Sequence, residues 1–262
     1  MFLNNILKTF FSDESWQKLR DLKKYLNRKK KFKKYRFARP RDLWLSFKAF
    51  LKDELEVIDK LDYEKAEIWM SAYSPAQMTR FSACRKEPET VNWIETHVKP
   101  GDVFCDIGAH VGAYSFVAYA VADKNIAVYS FEPSIAPYRA LLRNIKLNKC
   151  EREIFPFPVA LDNKESFYPL LSLKLDDVIK MFGLKTPNHI KLDVDGAEWG
   201  VLQGAINTFK DSRLRSALIE VDEAEHPTRV YEFMKEAGFK LLSQHQRGRK
   251  GMPLYNCIFE RN

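Results

Sequence analysis

From Val91 onward, short apolar runs alternate with segments of helical period, the sequence sign of a parallel sheet covered by helices on both faces. The runs at 103–107, 126–131, 154–160, 188–193, 216–222, 239–244 and 254–259 predict seven strands. Helices are predicted over 112–122, 134–147, 173–182, 197–209 and 227–237. Arg247-Gly248-Arg249-Lys250-Gly251 makes a turn-rich link between the last two strands, which should therefore pair as an antiparallel hairpin. The expected fold class is α/β, a seven-stranded, mostly parallel sheet ending in that hairpin.

Upstream the pattern differs. Leu43, Phe47, Phe50, Leu51, Leu55, Ile58 and Leu61 recur at helical spacing, with Asp42 after Pro40 as N-cap. Residues 1–86 are therefore expected to form a mostly helical N-terminal extension, and 87–262 the sheet domain. Residues 1–41 hold 14 Lys+Arg and three acids, +11, on a remainder of −3. Phe2, Leu3, Ile6, Leu7, Phe10 and Phe11 form one apolar stripe ahead of Arg28-Lys29-Lys30-Lys31-Phe32-Lys33-Lys34-Tyr35-Arg36. A stripe followed by a polybasic run suits an anionic membrane surface, or packs on the body with the lysines solvated. No nucleic-acid-binding motif accompanies the basic run, so no nucleic acid is expected as partner.

At 45% apolar and 30% charged residues the chain is neither collagenous nor disordered, and no stretch nears the roughly 18 apolar residues of a membrane span. Cys84, Cys105, Cys150 and Cys257 are widely spaced and read as single buried thiols of a reducing compartment. Met1–Phe11 lacks a basic start and a cleavage site, so a cytoplasmic protein, peripheral at the inner membrane face, is expected.

Three strand ends carry chemistry. The first reads Asp106-Ile107-Gly108-Ala109-His110-Val111-Gly112, where glycines let the backbone turn sharply and approach a ligand. Its G-x-x-x-G spacing is not the G-x-G-x-x-G of dinucleotide sites, which disfavours NAD or FAD. The second ends Phe131-Glu132-Pro133; proline keeps Glu132 extended at the strand tip, where an acid accepts from a ribose diol. The fourth gives Lys191-Leu192-Asp193-Val194-Asp195-Gly196-Ala197-Glu198, gathering three carboxylates at its carboxyl end. Three acids on one short turn do not make a metal site, and no metal is expected.

The order of these motifs resembles the FkbM family of S-adenosylmethionine-dependent methyltransferases. The matching stretches are 86–90, 106–115, Phe131-Glu132-Pro133, 141–148, Val159-Ala160-Leu161, Leu175-Asp176-Asp177, 191–198 and Ile219-Glu220-Val221. Departures are His110, where the family often has Asn, and a short segment between Ala160 and Leu175. The resemblance implies a Rossmann-like class I methyltransferase fold, S-adenosylmethionine as cofactor, and O-methylation, frequently of a sugar or polyketide hydroxyl. The acceptor is then a small molecule or a glycan, as in polysaccharide biosynthesis. It also implies that Asp106, Gly108, Ala109 and Gly112 serve the methionine part, Glu132 the ribose, Val159 and Ala160 the adenine, and Asp193 the ammonium or sulfonium. Asp195, Glu198, Glu220 and His110 are the candidates for the base that removes the acceptor proton. The rival readings are a non-catalytic Rossmann-like binding module tethered by its basic arm, and an N-methyltransferase. The second lacks an Asn/Asp-Pro-Pro-Tyr/Phe-like motif after the fourth strand.

Overall fold

The computed structural model describes residues 56–166, 171–224, 227–247 and 253–261. The predicted helix from Leu43 to Leu55 and the apolar stripe of Phe2–Phe11 lie outside the described residues. Described structure opens on an antiparallel hairpin, β1 (Val57–Lys60) and β2 (Trp69–Ala72), not on the helical period extended through Ile58 and Leu61. Short turns α1 (Pro75–Met78), a 3₁₀ turn (Thr79–Ser82) and α2 (Ala83–Lys86) lead into α3 (Pro88–His97). Leu61, Ile68, Met70, Ala83 and Cys84 share one core with Phe104 and Phe116, so the compact unit starts at Val57 rather than at residue 87.

The sheet segment runs β3 (Val103–Ile107), α4 (Ala113–Val121), β4 (Ala127–Phe131), α5 (Ile135–Asn148) and β5 (Ile154–Phe157). A small parallel pair follows, β6 (Ala160–Leu161) and β7 (Ser172–Leu173), then α6 (Leu175–Phe182) and β8 (His189–Leu192). The remainder is α7 (Glu198–Gln203), α8 (Ile206–Lys210), β9 (Ser216–Asp222), α9 (Pro227–Glu236), β10 (Phe239–Gln246) and β11 (Leu254–Arg261). The helix expected over 197–209 breaks at Gly204, where a Cβ would meet the Asp162 carbonyl oxygen at 2.4 Å.

The seven strands are ordered β10-β11-β9-β8-β3-β4-β5, parallel from β9 to β5, with β11 antiparallel to both neighbours. This is the Rossmann-like layout expected from the alternation. Strand period divides β3 between the two faces: Val103, Cys105 and Ile107 join the core under α6 to α9, while Phe104 joins the core under α3, α4 and α5. All four cysteines are free and buried. The chain passes from β3 to one side and from β8 to the other, so a crevice opens at the carboxyl ends of these adjacent strands.

Candidate active site

A cleft of about 190 Å³ lies at that crevice, walled by Gly108–Val111, Glu132–Ser134, Asp193–Asp195 and three cations, Arg80, Lys191 and Arg247. The turn from β3 into α4 forms one wall. The N–H groups of Gly108 and Ala109 both donate to the Phe131 carbonyl, at 3.0 and 2.9 Å, tying the loop to the end of β4. Gly108 has φ +82° and its missing Cβ would lie 1.8 Å from the Asp193 carbonyl oxygen, so only glycine permits this approach. Gly112, at φ +92°, makes room for Leu141 and Phe116. His110 adopts φ +51° without being glycine, a strained conformation that surrounding contacts must hold.

Glu132 is that holder. Its Oε2 accepts from the His110 N–H at 3.0 Å and its Oε1 from the Ser134 N–H at 2.7 Å. Burial raises its pKa, against these backbone donors. Each carboxylate oxygen keeps a further lone pair, which suits a ribose diol.

On the β8 side, Lys191 is buried and donates to Asp193 Oδ2 at 3.2 Å, with Asp106 Oδ1 at 3.9 Å and the Tyr114 ring 5.2 Å away. Burial opposes the lysine's charge, yet Asp193, Asp106 and Glu87 outweigh it and raise its pKa. For Asp193, burial is offset by Lys191 and Arg247 and the net shift is downward. Asp106 goes up, because burial outweighs Lys191 and Ser115. The shorter pair, Lys191 with Asp193, is accordingly the principal one.

Arg247, in the link after β10, joins three carboxylates: Glu87, Glu220 at 3.0 Å and Asp193 at 3.8 Å. Burial opposes its charge, but these acids raise its pKa further. Burial and the Asp193 charge push Glu220 up to about 7, against Arg247. Asp193, Asp195 and Glu220 each offer an oxygen within 4.8 Å of the others, with Lys191 and Arg247 already countering two of them.

The four base candidates fall into two pairs. Asp195 and His110 line the cleft. Burial and the Arg80 charge lower the His110 imidazole to about 4, against Asp195 and Asp193, so it is neutral at pH 7, and its buried Nδ1 has no hydrogen-bond partner among the described residues. Glu198 is turned inward, its Oε1 accepting from the N–H groups of Val194 at 2.9 Å and Gly196 at 3.3 Å, and thereby closes the turn after β8. Glu220 lies beneath Arg247 and is not a cleft wall.

Of the expected cofactor residues, Gly108, Ala109, Glu132 and Asp193 line the cleft. Asp106, Gly112, Val159 and Ala160 do not. Asp106 shares the α4-facing side of β3 with Phe104 and accepts from the Ser115 hydroxyl at 2.6 Å. Gly112 lies behind the loop against Leu141 and Phe116. Val159 is packed in the core and Ala160 pairs with Ser172 in β6. The sequence does not single out Arg80 or Arg247 as site residues, and Tyr114 and Lys191 fall in the matching stretches 106–115 and 191–198 with no role attached; only a cation at a buried strand end, as at Lys191, marks one in advance.

A seven-stranded sheet of this order, with an acid at the end of its second strand and a glycine turn at its first, defines a Rossmann-like methyltransferase of class I. The model of the methyltransferase FkbM domain matches residues 106–241. The chain belongs to the FkbM methyltransferase family, and its cofactor is S-adenosylmethionine. The hexuronic acid methyltransferase AglP of Haloferax volcanii is 20% identical over 183 residues, covering 63% of this chain and 74% of that protein. Trm5b of Pyrococcus abyssi superposes with a TM-score of 0.50 at 15% identity, over 78% of this chain and 55% of its own. The aTrm5 complex with tRNALeu gives 0.50 at 17% identity, over 79% and 53%. At these identities the two solved structures are alike in fold, and neither carries its acceptor over to this chain.

The residues present fit this cofactor. Gly108 lets the loop lie flat where any side chain would fill the space, Glu132 offers acceptors to a diol, and Asp193 offers negative charge to an ammonium or a sulfonium.

Proposed function

We propose that this protein methylates a hydroxyl of a sugar, glycan or glycolipid, with the Gly108–Val111 loop, Glu132 and Asp193 holding the cofactor and Asp195 taking the acceptor proton. The observation that carries the reading is that Asp195 lines the cleft beside that loop and makes no hydrogen bond or ion pair with any described residue. It adopts φ +54°, backbone strain of the kind found at functional sites. The similarity to a hexuronic acid methyltransferase supports a sugar acceptor.

The bound cofactor supplies a methyl group activated by its sulfonium. The chain's work is positioning: a hydroxyl held in line gains an effective molarity of about 10⁵ M or more, so little further machinery is needed. Asp195 orients the acceptor O–H and receives its proton as the O–CH₃ bond forms and the S–CH₃ bond breaks. Neutral His110, whose Nδ1 has no partner among the described residues, lines the same cleft as a second acceptor. The basic arm of residues 1–41 suits a cytoplasmic enzyme held at an anionic membrane, where a lipid-linked glycan is encountered. Among the described residues no helix is long and apolar enough to cross a membrane.

The test is transfer of an isotopically labelled methyl group by the full-length protein to a panel of uronic-acid glycans, neutral glycans, glycolipids and tRNA. Label in an alkali-stable ether on a sugar supports the reading. Label on nitrogen, or on tRNA alone, overturns it, and cofactor binding without turnover on any cellular extract returns the protein to a binding module.

A further inference from the structure

The cleft has three cations, and two of them are engaged. Lys191 is paired with Asp193, and Arg247 with Glu87, Glu220 and Asp193. Arg80, on the 3₁₀ turn before α2, lines the same cleft and makes no side-chain hydrogen bond or ion pair with any described residue. Asp195, the other unpaired charge of the cleft, is the proposed base, so a half-buried guanidinium with no partner among the described residues points to an anion from outside the chain. S-adenosylmethionine carries one full negative charge, the carboxylate of its amino-acid end, and its other charges are positive.

We propose that Arg80 is the carboxylate-binding residue of the cleft and holds the amino-acid end of the cofactor. The planar guanidinium matches a carboxylate with two parallel N–H···O bonds. Arg80 lines the cleft with His110 and Asp193, and its charge acts on both of them. The opposite electrostatic needs of the cofactor are then met from opposite walls: Arg80 for the carboxylate, Asp193 for the ammonium or sulfonium. Arg80 comes from the segment between the β1–β2 hairpin and α3, upstream of the 106–241 stretch that the family model matches.

The inference rests on the cofactor assignment, and its experiment separates the two. Calorimetry on the full-length protein compares S-adenosylhomocysteine with its decarboxylated counterpart, the 3-aminopropyl thioether of adenosine, which keeps the ammonium, ribose and adenine. The wild type should bind the carboxylate-bearing ligand about 10-fold or more tightly than the counterpart. Arg80→Gln should erase that preference by weakening S-adenosylhomocysteine alone, with the counterpart held within about 2-fold, and Arg80→Lys should recover part of it. Retained binding of the counterpart also shows that the variant is folded. Equal weakening of both ligands, or no weakening of either, overturns the role of Arg80. If the wild type binds neither ligand, the cofactor assignment itself falls, and Arg80 with it.

Discussion

Gly108 and Asp193 touch backbone to backbone across the ends of two adjacent strands, so close that a Cβ on the glycine would stand 1.8 Å from the Asp193 carbonyl oxygen. The contact joins the cofactor loop to the acidic turn and leaves no side-chain freedom to relieve a substitution. Gly108→Ala adds this clash to a left-handed backbone that itself disfavours a side chain by about 1–2 kcal/mol. We expect a loss of at least about 2 kcal/mol in chemical denaturation and no measurable S-adenosylhomocysteine binding. Wild-type affinity in Gly108→Ala would show that the loop lies elsewhere when cofactor is bound.

Glu132 combines two tasks, fixing the strained His110 backbone and offering lone pairs to the cleft. Glu132→Ala should weaken S-adenosylhomocysteine by about 1–3 kcal/mol, the scale of hydrogen bonds to a charged acceptor. Circular dichroism and melting of the unliganded variant separate the binding loss from unfolding, and unchanged affinity in a folded variant removes Glu132 from the site.

The sheet was legible because its signals are local: β3 and β8 are short, apolar-rich runs buried on both faces, interrupted only by Asp106 in one and by His189 and Lys191 in the other, and the turns after β3, β4 and β8 carry Gly108, Pro133 and Gly196. The β1–β2 hairpin was not, because Ile58 and Leu61 fit a 3.6-residue period equally well and β1 is exposed along its whole length. Within the site, Glu132 and Gly108 announce themselves by strand-end position. Asp106 has no such mark, since motif spacing does not tell which face of β3 an acid occupies, and the structure puts it on the α4 side against Ser115. Glu198 and Asp195 look alike in sequence; only the turn geometry sends one inward to the Val194 and Gly196 N–H groups and leaves the other in the cleft. Arg247 has no local signature at all, because its three acids come from distant segments.

That distinction between the two acids is measurable in turnover. Asp195→Asn keeps shape and deletes the proton acceptor, so kcat should drop about 10²-fold or more while cofactor affinity stays nearly unchanged. Glu198→Gln disturbs the turn instead and should lower stability and cofactor affinity together. If Asp195→Asn keeps full turnover, His110 becomes the base, and His110→Gln should then abolish the activity.

Stability should fall on the acid side. His189 is buried, with Nδ1 at 2.8 Å from Ser216 Oγ and Nε2 at 3.1 Å from Asp102 Oδ2. Burial lowers its pKa to about 4, with Asp102 opposing and Arg215 adding to the shift. The unfolded chain takes up this proton near 6.5 and the folded chain only near 4, so the stabilisation is present above 6.5 and is lost as pH falls towards 4. The loss reaches the order of 3 kcal/mol. His110 titrates in the same direction, so the comparison is between wild type and His189→Gln, denatured at pH 7.5 and at pH 5. An equal acid loss in both proteins excludes His189 as the source.

The last expectation concerns the arm, where 13 of the 14 bases of residues 1–41 fall between Lys18 and Arg41. Each Lys or Arg near an anionic membrane contributes about 1 kcal/mol, so a fraction of them suffices to hold the protein at a surface. Such attraction is screened as the Debye length shrinks from about 10 Å at 0.1 M salt to about 3 Å at 1 M. Full-length protein should therefore sediment with phosphatidylserine vesicles at low salt and be released at high salt. Replacing Lys29, Lys30, Lys31, Lys33 and Lys34 by Gln should abolish sedimentation while S-adenosylhomocysteine binding is unchanged, because the cleft residues all lie beyond the arm. If the variant loses cofactor binding as well, the arm is part of the fold; if the wild type ignores the vesicles even at low salt, the acceptor is met in solution and the glycolipid form of the proposal fails.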